Sequence, residues 1–118
     1  MRGIFNRSHS LIDLLTAHGY QVSFATRTAT RLARPGRNGA NASVTVFPAR
    51  EDGTPELSVH FSTSDPLYSA EYLDADGGEV RRRAHDAFHI YVMLEHGGDW
   101  QAAYAAARKL VQGQALPA

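Results

Sequence analysis

Cysteine is absent from all 118 residues. A disulfide framework, a thiolate nucleophile, an iron–sulfur cluster and a cysteine zinc site are therefore excluded. Lysine occurs once, at Lys109, against eleven arginines; arginine is the better fork for phosphate oxygens, although a GC-rich genome would give the same bias. No apolar run approaches the roughly 18 residues of a membrane span, and the N-terminus lacks the basic-then-apolar order of a secretory signal. The expectation is a soluble, cytoplasmic chain with no membrane partner. Missing too are an internal repeat, a nucleophile-elbow spacing and a glycine-rich loop ending in Lys-Ser/Thr. Ser62, Thr63, Ser64 and Asp65 could be combined with a histidine on paper, but nothing in their spacing fixes a hydrolytic geometry. The chain is read as non-enzymatic, without a cofactor.

Net charge is also absent: twelve Lys+Arg balance twelve Asp+Glu. That zero is a sum of opposites. Residues 1–50 carry seven arginines (Arg2, Arg7, Arg27, Arg31, Arg34, Arg37, Arg50) against the single acid Asp13, and residues 51–118 carry five bases against eleven acids. An asymmetry of +6 and −6 between the halves points to an anionic partner for the basic side.

The size fits one domain, with 1–9 and 113–118 expected to be flexible and 10–112 globular. Leu11, Ile12, Leu14 and Leu15 have helical spacing, Ser10 and Asp13 suit an N-terminal cap, and Gly19 suits the left-handed stop after His18. Tyr20, Val22 and Phe24 alternate with Gln21, Ser23 and Ala25 as in a strand, and 28–34 can pair back on it. PGRNGAN (35–41) reads as a loop. Strands follow at 42–47, where Val44 and Val46 oppose Thr45 and Phe47, and at 56–61, where Leu57, Val59 and Phe61 oppose Ser58 and His60; 48–55 is the turn between them. Residues 62–83 hold no period and read as an irregular, mobile excursion with a short turn near 67–73. Helical spacing returns over 84–96. Gly97-Gly98 stops that helix, and Asp99 caps another with the stripe Trp100, Ala103, Tyr104, Ala107, Leu110 and Val111. The predicted fold is α+β: an antiparallel sheet of three or four strands packed with three helices, in the order α-β-β-β-β-α-α.

Three groups of residues carry candidate chemistry. The first is the basic loop Arg27, Arg31, Arg34 and Arg37, with Arg50 as a further member. Guanidinium forks beside glycine-rich backbone suit phosphate oxygens; pairing with the acidic 65–79 segment of the same chain is the competing reading. The second is His85, His89 and His96. His85 and His89 have metal-ligand spacing, yet Asp86 stands where a metalloprotease would have glutamate, and a polar helix flank is the ordinary reading, so no metal is assigned. The third is aromatic. Phe24, Phe47, Phe61, Phe88, Tyr91, Trp100 and Tyr104 read mostly as core, while Tyr20, Tyr68 or Tyr72 could stack on bases.

The ordered strings HGY (18–20), RPGR (34–37), NAS (41–43), FSTSDPL (61–67) and LEHGGDWQAAYAAARKL (94–110) resemble a domain of primase-polymerase and primase-helicase proteins from actinobacterial phages, plasmids and integrative elements. The resemblance covers about residues 10–112. Its layout is similar to a primase zinc ribbon that has lost its metal ligands: a Cys-Pro-x-His knuckle stands in cysteine-bearing relatives where Arg34-Pro35-Gly36-Arg37 stands here, and a second cysteine pair falls near Ser62–Ser64. Two departures are Ala87, where the family usually has lysine before Phe88, and a longer excursion at 65–83. The resemblance implies a template-contacting role for Arg34, Arg37, Asn38, Asn41, Ser43, Ser62, Thr63 and Ser64, with no zinc.

Together these readings predict a non-catalytic nucleic-acid-binding accessory domain of a mobile-element or phage DNA replication protein. Arg27, Arg31, Arg34 and Arg37 would neutralise phosphates of a single-stranded DNA template, and Asn38, Gly39, Asn41, Ser43 and Ser62–Ser64 would supply donors. Its partners would be primase, polymerase or helicase modules of the same system. The alternative is a protein-interaction domain docking an acidic partner without touching nucleic acid.

Overall fold

The computed structural model describes residues 1–36, 42–73 and 78–115, with side chains as far as Gln112. The order is α1 (Arg2–Ser8), α2 (Leu11–Ala17), β1 (Gln21–Ala25), β2 (Thr30–Ala33), β3 (Val44–Phe47), β4 (Leu57–His60), β5 (Glu71–Leu73), β6 (Val80–Arg82), α3 (Ala87–Glu95) and α4 (Trp100–Ala115). The fold is α+β. Strands β1-β2-β3-β4 form an antiparallel meander, and β5-β6 form a separate two-stranded ribbon.

Local signals in the sequence explain the helix ends. Ser10 accepts from the Asp13 amide and caps α2; Gly19 then takes φ +92°, which turns the chain so that Tyr20 folds back into the core. Asp86 caps α3 by accepting from the His89 amide. Gly97 and Gly98 both have positive φ, and Asp99 accepts from the Ala102 amide to start α4.

Three expectations differ from the structure. Residues 2–8 are a helix rather than a flexible lead, because Phe5 is wholly buried, stacked on His9 at 4.0 Å and edge-on to Phe88 at 5.4 Å. Arg2 and Asn6 both bond the Asp86 cap, locking α1 onto α3. Four helices, not three, are thus present among the described residues. The 62–83 excursion is also ordered where described: it holds β5 and β6, and Asp65, Leu67 and Ser69 are buried. At the other end, α4 runs through Ala115, beyond the predicted start of a tail at 113.

The two faces of the four-stranded sheet differ. Pairing aligns Val22, Leu32, Val44 and His60 in one row and Thr30, Val46 and Ser58 in the next. Leu32, Val44 and Val46 lie in the core with Leu11, Leu15 and Phe88, so this is the inner face. Alternation along a strand puts Arg31, Thr45, Val59, Phe47 and Leu57 on the opposite, outer face.

Candidate nucleic-acid interface

The outer face is built by two departures from simple patterning. In β1 the register jumps between Val22 and Phe24, so Ser23 is a bulge residue. Val22 opposes Leu32 on the inner face, and Phe24 opposes Arg31 on the outer one. In β4 the polarity is inverted: Ser58 and His60 are fully buried, and Leu57, Val59 and Phe61 face outward. Phe24 is 54% exposed, Phe47 41% and Phe61 45%, which overturns their expected core placement. Phe88 and Tyr91 are buried as expected, whereas Trp100 is partly exposed.

A buried polar network explains why β4 can be inverted. Asp65 Oδ2 accepts from His60 Nδ1 at 2.7 Å, and its Oδ1 accepts from Tyr20 Oη at 2.5 Å and from the Leu67 amide at 2.8 Å. With Nδ1 donating to the carboxylate, the His60 ring places Nε2 2.9 Å from Ser58 Oγ. The His60 amide donates to Ser69 Oγ. His85 Nε2 lies 3.0 Å from the Leu67 carbonyl, to which it donates, leaving Nδ1 to accept from His89 Nδ1 at 2.9 Å. Burial raises the Asp65 pKa, but the bonds from His60, Tyr20 and Leu67 outweigh it, and the carboxyl titrates below its ordinary range. Tyr20 is pushed well above the usual phenol range by burial and by Asp65. Burial, with His89 alongside, drives His85 down to about 4.

Ser58, His60 and Asp65 have the connectivity of a hydrolytic relay, but Ser58 and His60 are wholly enclosed on the inner face. A nucleophile needs access to its substrate; here the set holds the sheet together. Sequence reasoning missed this network because the partners come from β4, the turn after it and the approach to α3. The available signal was the pair of polar residues Ser58 and His60 alternating in a strand next to an acid. Tyr20 belongs to the network and is not a stacking surface. The three-histidine set does not assemble either: His85 precedes α3 in an isolated bridge to Ser58, and His96 caps the far end of the helix against Tyr91.

The predicted arginines are not one loop. Arg27 sits in the β1–β2 turn, exposed, where Thr26 Oγ1 accepts from the Thr28 and Ala29 amides. Arg31 lies mid-strand on the outer face, and Arg34 follows β2 with Nη1 3.4 Å from the Pro35 carbonyl. A four-residue strand of roughly 13 Å separates Arg27 from Arg34, so the three charges are spread along β2, with Arg31 on the outer face. Arg37, Asn38, Gly39 and Asn41 lie outside the described residues. Ser43, Ser62, Thr63 and Ser64 gather at the Arg34 end: Ser43 donates its amide to Leu32 and accepts from the Phe61 amide, directly before the Ser62–Ser64 turn. That turn is closed by the Asp65 amide on the Ser62 carbonyl and the Ser64 amide on Ser62 Oγ.

Charge pairing among the described residues bears on the two readings of the basic residues. The described carboxylates of the 65–79 segment are occupied elsewhere: Asp65 by His60, Glu71 by Arg82 at 2.7 Å and Glu79 by Arg81 at 3.1 Å. Arg27, Arg31 and Arg34 have no carboxylate partner among the described residues. The buried side-chain polar atoms that lack a hydrogen-bond partner, among those described, are Arg31 Nε and Ser43 Oγ, and alternation assigns both residues to the outer face.

No helix among the described residues is long and apolar enough to cross a membrane. No protein-family model, curated protein or solved structure matches this chain, so the outer face is interpreted from its own geometry.

Proposed function

We propose that this chain is a non-catalytic, single-stranded DNA-binding accessory module, of the primase- or helicase-associated kind that its sequence strings resemble. The observation that carries the reading is that Arg27, Arg31 and Arg34 have no carboxylate partner among the described residues, while the described acids of the 65–79 segment are bonded to other groups. Cations held at a surface without internal neutralisation attract a polyanion and release its counterions on binding. Ser43 and the Ser62–Ser64 turn, at the Arg34 end of the sheet, add neutral donors that position a backbone without reading sequence.

The test is a salt titration. Labelled single-stranded DNA is titrated against wild type and an Arg27→Ala/Arg31→Ala/Arg34→Ala variant between 50 and 200 mM salt. Each neutralised phosphate contributes about −0.7 to the slope of log affinity against log salt. Three phosphates give a slope near −2 and a loss of roughly 20-fold across that range, and the triple variant should lose this component. A flat salt response, or equal slopes for both proteins, refutes the reading and favours docking of an acidic protein partner.

A further inference from the structure

We infer that the outer face of the sheet is a base-stacking platform, with Phe24, Phe47 and Phe61 each receiving one unpaired base. This deepens the single-strand reading above and rests on it. Phe24, Phe47 and Phe61 are each more than two-fifths exposed on one sheet face, which leaves their rings available to flat apolar groups. The occupant is identified by what lies among them. Arg31 is the direct cross-strand neighbour of Phe24, and Thr45 and Val59 continue that row, with Phe47 and Phe61 on either side along the strands. A ligand covering the rings therefore also meets a cation with no carboxylate partner among the described residues, which suits an anion bearing flat apolar groups.

Spacing supports one base per ring. With strands about 4.8 Å apart and about 3.4 Å per residue, the three Phe positions stand roughly 12 to 16 Å from one another. That is too far for a single base to touch two rings. Phe61 carries a further feature: the Arg82 guanidinium lies 5.1 Å from its ring centroid and is held there by Glu71 and the Ser69 carbonyl. A base reaching Phe61 meets a ring already paired with a guanidinium plane, and both stack on bases. In a duplex the base faces are buried in the stack, so the platform selects single strands.

Separate Phe24→Ala, Phe47→Ala and Phe61→Ala variants test this, with Phe→Tyr at each position as the conservative control. The probes are a labelled oligothymidine, an abasic phosphodiester strand of the same length and a duplex of that length, all at one salt concentration. Unchanged thermal unfolding of the exposed-site variants shows that they remain folded. Wild type should prefer oligothymidine over both other probes. Each alanine should weaken oligothymidine binding about 5- to 150-fold, leave the abasic strand unaffected, and be rescued by tyrosine. Equal wild-type binding of oligothymidine and the abasic strand, or alanine variants that bind oligothymidine as wild type does, overturns the platform and leaves the phosphate reading standing. Failure of wild type to bind any strand overturns both.

Discussion

Asp65 is the residue on which the inverted strand depends, and its replacement has a calculable cost. Its carboxylate accepts from three donors that are themselves enclosed: Tyr20 Oη, His60 Nδ1 and the Leu67 amide. Asp65→Ala leaves all three without an acceptor in a site that water does not reach. A buried donor left unpaired costs about 1 to 3 kcal/mol. Allowing for partial relaxation, the loss is about 3 to 6 kcal/mol, a large share of the roughly 5 to 15 kcal/mol of a domain's stability. Asp65→Asn differs in kind. The amide oxygen keeps Tyr20 and Leu67, and the amide nitrogen donates to His60 Nδ1 once that ring takes its other tautomer, with the Ser58 hydroxyl turning to accept from Nε2. Only charge assistance is lost, about 0.7 kcal/mol for each of the three bonds, for a cost near 2 kcal/mol.

Urea unfolding followed by circular dichroism measures both. With a slope of about 1.5 kcal/mol per molar urea, Asp65→Ala should lower the midpoint by roughly 2 to 4 M, or unfold the protein outright, and Asp65→Asn should lower it by a little over 1 M. A pH series supplies the second readout. The Asp65 pKa is depressed in the folded state, so its stabilisation is fully present above the unfolded value near 4 and is lost as pH falls through the folded value. The gap between wild type and Asp65→Asn should therefore hold at neutral pH and close in acid. Midpoints for Asp65→Ala within experimental error of wild type, or a gap that ignores pH, would refute a structural role for the network.

Two further outcomes follow from the same packing. Phe5→Ala empties a fully enclosed site between His9, Phe88 and Tyr91 and should cost about 3 to 5 kcal/mol in the same unfolding assay; a silent substitution would mean that α1 is dispensable. His85, held near 4 by burial and His89, binds fewer protons folded than unfolded between about pH 6.5 and 4, so stability should fall by about 3 kcal/mol as pH drops through that window. His85→Gln keeps a donor for the Leu67 carbonyl and should flatten that part of the profile, while an unchanged profile assigns the acid sensitivity elsewhere.

Helix ends were legible because they depend on residues within a few positions: Ser10 and Asp13, Gly19, Gly97 to Asp99. The four-strand meander was legible from alternation and turns. Register and facing were not. Reading Leu57, Val59 and Phe61 as the inner phase follows from hydrophobicity alone, and it fails because Ser58 and His60 find hydrogen-bond partners more than local sequence can reveal. Phe24 fails for a different reason. A one-residue bulge at Ser23 shifts the phase of everything after it, and period-two patterning carries no mark of such a slip. The helix at 2–8 was hidden because its one buried apolar anchor, Phe5, packs on Phe88 and Tyr91 of α3, more than eighty residues away.

The inversion of β4 links stability to the proposed binding surface. A strand that turned Leu57, Val59 and Phe61 inward would gain apolar burial, but it would carry Ser58 and His60 to the outer face and leave Asp65 Oδ2 buried without its donor. A buried carboxylate oxygen left unpaired is costly, and that cost opposes the apolar gain. The network thus selects the register in which Phe61 points to solvent, beside Arg82 and in line with the Ser62–Ser64 turn. By that logic exposed Phe61 is not a defect of packing tolerated by the fold. The buried acid and histidine hold it on the surface, and a change at Asp65 should disturb that end of the outer face without touching it.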